Sequence, residues 1–511
     1  MPSTSAALPD NLSHRYDEAI EAYQAQHFDV AQALVDRILA IVPEHAESLH
    51  LRGLLALAFE QLEAAQTWVE RAIERHPQPL FYNTLNAIQL RLGNFAGAVE
   101  SIRSGLTLGP NFAVLHYNLG LTLQYEERLE EAAISYRRAL DLNPVNSPTH
   151  NNLGLILKEL GAFDEAEAHY RGAISLAPNN LVAHNNLGNL LLTAGRFEEA
   201  WPYFEARWVT CKYADGRPAP VRPELPLPRW EGPATQSEHG REGRLLVLHE
   251  QGYGDSLQFV RYLPLVLERF SKIGYVCPPA LHRLYEHSLC SRWPELELLA
   301  SVPTDLHGWD QYCPLMSLPM AFGTRLDTIP APGPYLYADP AHVASCRAKF
   351  AALQDPKLPR VGIVWAGGNS GIAVDRKRSL TSAQMAPLLA LPHVHWISLQ
   401  KTDDFAKLPD AASKAQLIDW TDELTDFADT AALIENLDLV ISVDTSVAHL
   451  AAAMGKPVWL LNRFSGCWRW LSHRDDSPWY PTLRLFTQTQ RGNWDDVLAR
   501  VVTALRQRFS T

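Results

Sequence analysis

The chain has 511 residues, of which 47% are hydrophobic and 20% charged, and a formal net charge of −12. That length is enough for about three domains, each burying its own core. The acidic balance argues against a nucleic-acid backbone as the main partner, because phosphate binding needs a Lys/Arg surplus on at least one face.

The N-terminal stretch MPSTSAALPDNLSHRYDEAI lacks a basic start followed by an apolar core, and no later run is long enough to span a bilayer. Cys211, Cys277, Cys290, Cys313, Cys346 and Cys467 show neither C-x-x-C nor zinc-type spacing, which fits free thiols in a reducing compartment. A soluble cytoplasmic protein without a transmembrane segment is expected.

Residues 12–214 repeat themselves. Pro43, Pro77, Pro110, Pro144 and Pro178 stand 34, 33, 34 and 34 residues apart, each closing a helical pattern. Leu119-Gly120, Leu153-Gly154 and Leu187-Gly188 recur in phase, followed by Ala132, Ala166 and Ala200. A fixed period of this size with two helices per unit predicts an α-solenoid of six repeats. The small residues let paired helices approach, and each Pro breaks the chain for the next unit. In detail the pattern resembles the tetratricopeptide repeat: Leu-Gly in the first helix, then Ala132, Tyr136 and Ala139 or Ala166, Tyr170 and Ala173 in the second, then Pro. Asn118, Asn152 and Asn186 precede the three Leu-Gly pairs. An amide donates and accepts at once, so these residues form a candidate groove for an acceptor peptide, or else they bond neighbouring turns of the solenoid. The NNLG reading is similar to the asparagine ladder of protein O-GlcNAc transferases. His116, His150 and His184 fill the aromatic packing slot and read as structural.

Residues 215–243 are rich in Pro, Gly and charge and read as a linker. Beyond them strands and helices alternate, in two runs. RLLVLHE, the glycine turn QGYGD and an amphipathic helix open the first, over 244–357; PRVGIVWAGG opens the second, over 358–511. Two such runs predict two Rossmann-like lobes with parallel sheets and a cleft at their strand C-termini. Neither a G-x-G-x-x-G fingerprint nor a Walker A sequence is present, which argues against a dehydrogenase and a P-loop NTPase. No D-x-D occurs, so the common metal site of metal-dependent glycosyltransferases is missing.

Near the end, ISVDTSVAHLAAAMGKPVWLL carries a strand into Asp444, Thr445 and Ser446 and then into a helix of small residues. A helix start offers unpaired N–H groups and partial positive charge to a phosphate; Ser and Thr are equally ordinary caps for those amides. His449, one turn in, reads either as a phosphate contact or as a core histidine.

Residues 244–509 resemble glycosyltransferase family nine, the heptosyltransferases, in the form fused to tetratricopeptide repeats. QGYGDSLQFVRYLP, VGIVWAGG with DRKRSL, and SVDTSVAHLAAAMGKPVW carry the resemblance. It implies a two-lobed GT-B fold, with Asp255 as catalytic carboxylate and Lys377, Arg378, Asp444, Thr445, Ser446 and His449 around the donor diphosphate. The chain departs from the fused relatives in having Cys467 where they place an acid before WRWL. CWRWLSHRDDSPWYP is aromatic and charged beyond what a core needs. It lines the sugar pocket or packs against the other lobe.

The expected activity is inverting, metal-independent transfer of a sugar from a nucleotide-diphospho-sugar to a protein recruited by the repeats, with no cofactor. Two alternatives remain at this point: a scaffold whose transferase half has lost catalysis, and a transferase acting on a saccharide or lipid-linked glycan.

Overall fold

Helix pairs form along the first part of the chain because small and large apolar residues recur at the spacing at which two antiparallel helices meet. The structure, a computed structural model, describes residues 9–208, 223–232, 243–330, 333–368, 377–401 and 417–509. Two compact units divide it, one through Ala183 and one from His184.

The first unit holds α1 (Asp10–Gln24), α2 (Phe28–Ile41), α3 (Ala46–Ala58), α4 (Leu62–Arg75), α5 (Pro79–Arg91), α6 (Phe95–Leu108), α7 (Ala113–Tyr125), α8 (Leu129–Leu142), α9 (Ser147–Glu159) and α10 (Phe163–Leu176). A sixth pair, α11 (Leu181–Thr193) and α12 (Phe197–Phe204), runs from the boundary into the second unit, so the solenoid has about 12 helices. In the three pairs that carry the Leu-Gly motif its glycine lies against the facing helix. A Cβ on Gly120 would lie 2.8 Å from the Tyr136 ring, and one on Gly154 equally close to Tyr170. Both tyrosines are fully buried. The turn inside each pair passes through one left-handed residue, namely Gln26, Glu60, Gly93, Glu127, Gly161 and Gly195, in step with the prolines. His116 and His150 each donate from Nε2 to the carbonyl of Pro110 and Pro144, at 2.9 and 3.1 Å. These histidines therefore tie each repeat's proline turn to its next helix.

The second unit contains two parallel sheets. β1 (Arg244–Leu248), β2 (Lys272–Val276), β3 (Leu296–Leu299) and β4 (Gln311–Pro314) stand in the order β3-β2-β1-β4. β5 (Arg360–Val364), β6 (His395–Ser398), β7 (Leu417–Asp419), β8 (Leu439–Val443), β9 (Val458–Asn462) and β10 (Leu483–Thr487) stand in the order β10-β9-β8-β5-β6-β7. The second order is that of a complete Rossmann sheet. In both sheets the chain reverses its winding direction beside the first strand, between β1 and β4 and between β5 and β8. Ligands of such sheets bind outside the strand C-termini at that switch point.

Two expected boundaries shift. Within 215–243, residues 215–222 and 233–242 lie outside the described residues, but 223–232 is not a free linker. The Trp230 side chain is fully buried on Phe270 and Phe322, and its backbone N–H donates to the Tyr312 carbonyl of β4 at 2.8 Å. Residues before the division expected at 357/358 already contact the second lobe. The Tyr335 N–H bonds the Ala453 carbonyl, the helix Pro340–Ala351 packs on Phe427–Glu435, and its Phe350 meets Trp420 edge-on.

The end of the solenoid is built into the first lobe. Arg207, in the turn after α12, donates to both oxygens of Glu250, at 2.8 and 2.9 Å, to Glu205 at 2.7 Å and to Ser317 at 2.7 Å. Glu250 follows β1 and also accepts from the Met316 N–H beyond β4, at 2.8 Å. Both side chains of the Arg207–Glu250 pair are at most 2% exposed. Removing one partner of such a pair leaves a buried, uncompensated charge. Arg207→Met is therefore expected to lower stability by about 3–5 kcal/mol in urea denaturation, whereas Arg137→Ala, which breaks the exposed pair with Glu165, should cost under ~1 kcal/mol.

Candidate active site

The switch points of the two sheets face each other through two short helices. Tyr253–Phe259 follows β1 and Ser446–Ala453 follows β8. They touch at Gly254, where a Cβ would lie 2.9 Å from Cδ2 of His449 and 3.7 Å from Cα of Ser446. Glycine at 254 is therefore what allows the contact. Just before it, Gln251 takes a left-handed conformation (φ 59°), sparsely populated for a residue with a side chain.

Asp255 stands at this junction. Its Oδ2 accepts from the Gly252 N–H at 2.9 Å, capping the first helix, and its Oδ1 is paired with the guanidinium of Arg469. Arg469 comes from the loop after β9. Burial by itself would lower the pKa of this guanidinium, but Asp255 first, then Cys467 and Asp444, outweigh it and hold the group above its ordinary value.

On the other side of the junction Thr445 occupies the N-cap position of Ser446–Ala453 without capping it. Its hydroxyl is bonded to the Ser442 hydroxyl at 2.9 Å, and no side-chain cap bond reaches the helix amides. Plain capping, one of the two readings of this stretch, is thus not what Thr445 does. Arg378 crosses the backbone of Gly367 after β5 and donates to the Asp444 carbonyl at 2.6 Å, bridging the ends of β5 and β8. Lys377 is half-buried beside it in sequence. Asp375 and Arg376 of the same motif lie outside the described residues. Asp444, Thr445, Ser446, Arg378 and, across the lobes, Asp255 are therefore brought together.

His449 is not on an open face of this site. It is 4% exposed, its Nδ1 bonds the Tyr480 hydroxyl at 2.9 Å, and its ring stacks on Trp470 with centroids 5.0 Å apart. Burial holds its pKa well below the ordinary value, helped by Arg469, Arg261 and Arg378, so it is neutral. The expected phosphate contact is thus replaced by packing, which the proximity of Gly254 demands.

Arg469 had no motif to announce it. The signal was the excess of charge and aromatic rings in CWRWLSHRDDSPWYP. Its neighbours hold both lobes together: Trp468 meets Phe259 and Trp479, and Tyr480 lies beside His449. A cavity of about 350 Å³ opens at the ends of β1 and β2, lined by His249, Gly252, Tyr253 and Cys277 among others. A larger one, about 630 Å³, lies away from this chemistry, between Arg196 and Arg325.

Of the candidate groove residues, Asn118 donates to Asn83 at 2.6 Å and Asn152 to the Tyr117 hydroxyl at 3.3 Å. Both are half-buried members of the first unit, bonded from one repeat to the preceding one. Asn186 is half-buried in the second unit.

The neutrality of His449 has a measurable consequence. The unfolded chain protonates this residue near its ordinary value of 6.5, while the folded chain does so only far below it. Stability is therefore lost as pH falls below that value, by roughly 2 kcal/mol between pH 7 and 5 from this residue. His449→Gln, which does not titrate in either state, should show a correspondingly smaller loss in urea melts at the two pH values. Equal losses in both proteins would mean that folded His449 protonates freely.

Glycosyltransferase family 9 (heptosyltransferase) matches residues 424–461, a stretch that holds β8, the helix Ser446–Ala453 and most of β9. Tetratricopeptide repeat families match residues 16–78, 113–144, 135–168 and 157–201. Protein FlbA of Caulobacter vibrioides is 28% identical over 305 residues, 55% of this chain and 49% of FlbA. The chain thus spans about half the length of that curated relative. Among solved structures, YrrB, described as a TPR protein with an unusual peptide-binding site, is 18% identical with a TM-score of 0.30, over 33% of this chain and 88% of YrrB. MamA from Desulfovibrio magneticus RS-1 is 18% identical with a TM-score of 0.31, over 34% of this chain and 99% of that one. The chain therefore carries tetratricopeptide repeats followed by an α/β region whose second switch point matches glycosyltransferase family 9.

Proposed function

We propose that the two lobes transfer a sugar, with inversion and without a metal ion, from a nucleoside-diphosphate sugar to a hydroxyl of a protein held by the repeats. One observation carries this reading. The helix of the first lobe that carries Asp255 touches, at Gly254, the start of the Ser446–Ala453 helix of the second, whose N-cap Thr445 makes no side-chain cap bond, and Arg378 binds the Asp444 carbonyl just before that start. The helix amides and Arg378 suit a diphosphate, since both offer N–H donors and positive charge. In the transfer, the acceptor oxygen forms a bond to the anomeric carbon as the bond from that carbon to the diphosphate breaks. The acceptor proton passes to the Asp255 carboxylate, and the charge of the departing nucleoside diphosphate is carried by those N–H groups. The family 9 match over this helix supports a glycosyltransferase, and the repeats support a protein acceptor.

Asp255→Asn keeps a side-chain oxygen for the Gly252 amide but cannot take a proton. It should lower turnover by about two to four orders of magnitude without weakening donor binding, and turnover of the wild type should survive EDTA. Turnover retained in the Asn variant would assign the base elsewhere.

For the acceptor, each amide contact to a peptide backbone contributes on the order of 0.5–1.5 kcal/mol. Replacing Asn118, Asn152 and Asn186 together by Ala should weaken a protein acceptor about ten- to a thousandfold while donor hydrolysis is little changed. A triple variant that melts lower yet modifies its acceptor normally would leave these residues the inter-repeat role alone.

A further inference from the structure

The pairing of Asp255 with Arg469 poses a problem for the reaction proposed above. A carboxylate that must accept a proton is a weaker base while a guanidinium neutralises it. The same guanidinium is only 12% exposed and stands in the field of Asp444, the residue that directly precedes Thr445 at the helix start suited to the diphosphate. Its other described hydrogen bond goes to Cys467 Sγ, at 3.0 Å, a weak acceptor that holds it little.

The backbone on either side of Arg469 is fixed. Trp468 packs against Trp201 and Phe204 of α12, with centroids 6.1 and 5.5 Å apart, and Trp470 stacks on His449. The Ser472 N–H donates to the Thr193 carbonyl at the end of α11, at 3.0 Å. The last repeat thus buttresses the loop, and the long side chain between the two tryptophans is the part left to move. Arg261, the other buried guanidinium nearby, is different. Backbone carbonyls of Gln258 and Trp479 and the Tyr335 hydroxyl hold it at 2.8–3.0 Å.

We propose that Arg469 is a second diphosphate-binding residue, held by Asp255 in the free protein and surrendered to the donor when it binds. Guanidinium pairs with phosphate as readily as with carboxylate, and the diphosphate brings more negative charge than the single carboxylate it displaces. The exchange frees Asp255 to act as base only once a donor is in place. This inference rests on the donor reading given above.

The exchange makes the two members of the pair act in opposite directions on nucleotide binding, which a purely structural ion pair would not do. The test is calorimetric titration of the full chain with UDP, GDP, ADP, CDP and dTDP, for the wild type, Arg469→Met, Arg469→Lys and Asp255→Asn. With the nucleotide that binds, Arg469→Met should bind about ten- to a hundredfold more weakly, the loss of one charge-assisted contact, and Arg469→Lys should recover part of it. Asp255→Asn should bind several-fold more tightly than the wild type, because nothing competes for the guanidinium. If Arg469→Met binds like the wild type, or Asp255→Asn binds more weakly, the exchange is wrong while the donor reading stands. If no diphosphate binds the wild type, the donor reading falls and the exchange falls with it. Should Arg469→Met fail to fold, the sign of the Asp255→Asn change still decides.

Discussion

Two helix N-termini from different sheets approach until a single added methyl, on Gly254, would press into the ring of His449. The rest of the candidate site depends on that contact. Each helix begins at the switch point of its sheet, so bringing them together superimposes the two places where parallel sheets bind ligands. A helix bearing a carboxylate then touches the start of the other, whose N-cap Thr445 makes no side-chain cap bond. In the reaction proposed above, the proton acceptor comes from one lobe and the seat for the leaving group from the other.

That contact is made of groups that forfeit solvent to form it. His449 gives up protonation, and Arg261 is buried against carbonyls and a tyrosine hydroxyl, stacked over Tyr335 and Tyr480 with its charge 4.7 and 4.8 Å from their rings. Tryptophans and tyrosines of the 468–480 stretch fill the space around them. Their rings offer large apolar area with a polar edge, which suits an interface containing buried cations. The aromatic content of that stretch follows from this requirement and needs no sugar to explain it.

The last helix pair belongs physically with the lobes. Arg207 reaches the buried carboxylate behind β1, the Trp201 indole N–H donates to the Thr324 carbonyl at 2.8 Å, and Phe197 stacks on Trp479. A cut placed at the end of the repeat pattern would remove these contacts and expose Glu250 and the aromatic loop. The compact division lies at 183/184, one helix pair earlier than the repeat pattern ends. Sequence periodicity reports how the helices were built up; the contacts report which of them fold as one body.

What the sequence by itself determined is what repeats or alternates locally. The 34-residue phase, the glycines facing Tyr136 and Tyr170, the two parallel sheets and the strand-to-helix junction at Asp444 all follow from spacings along a short stretch of chain. Backbone geometry converts such spacings directly into faces and turns. What only the tertiary structure decided is pairing at a distance. Asp255 and Arg469 are 214 positions apart, and Arg207 and Glu250 are joined 43 apart through a stretch without periodicity. Trp230, in a segment that reads as linker, is buried because β4 offers an open edge beside it. His449 could be read equally as a ligand or as core, since a histidine one turn into a helix has the same sequence signature in both. Its burial was fixed by a glycine on the opposite lobe, and no local pattern records what the other lobe will bring.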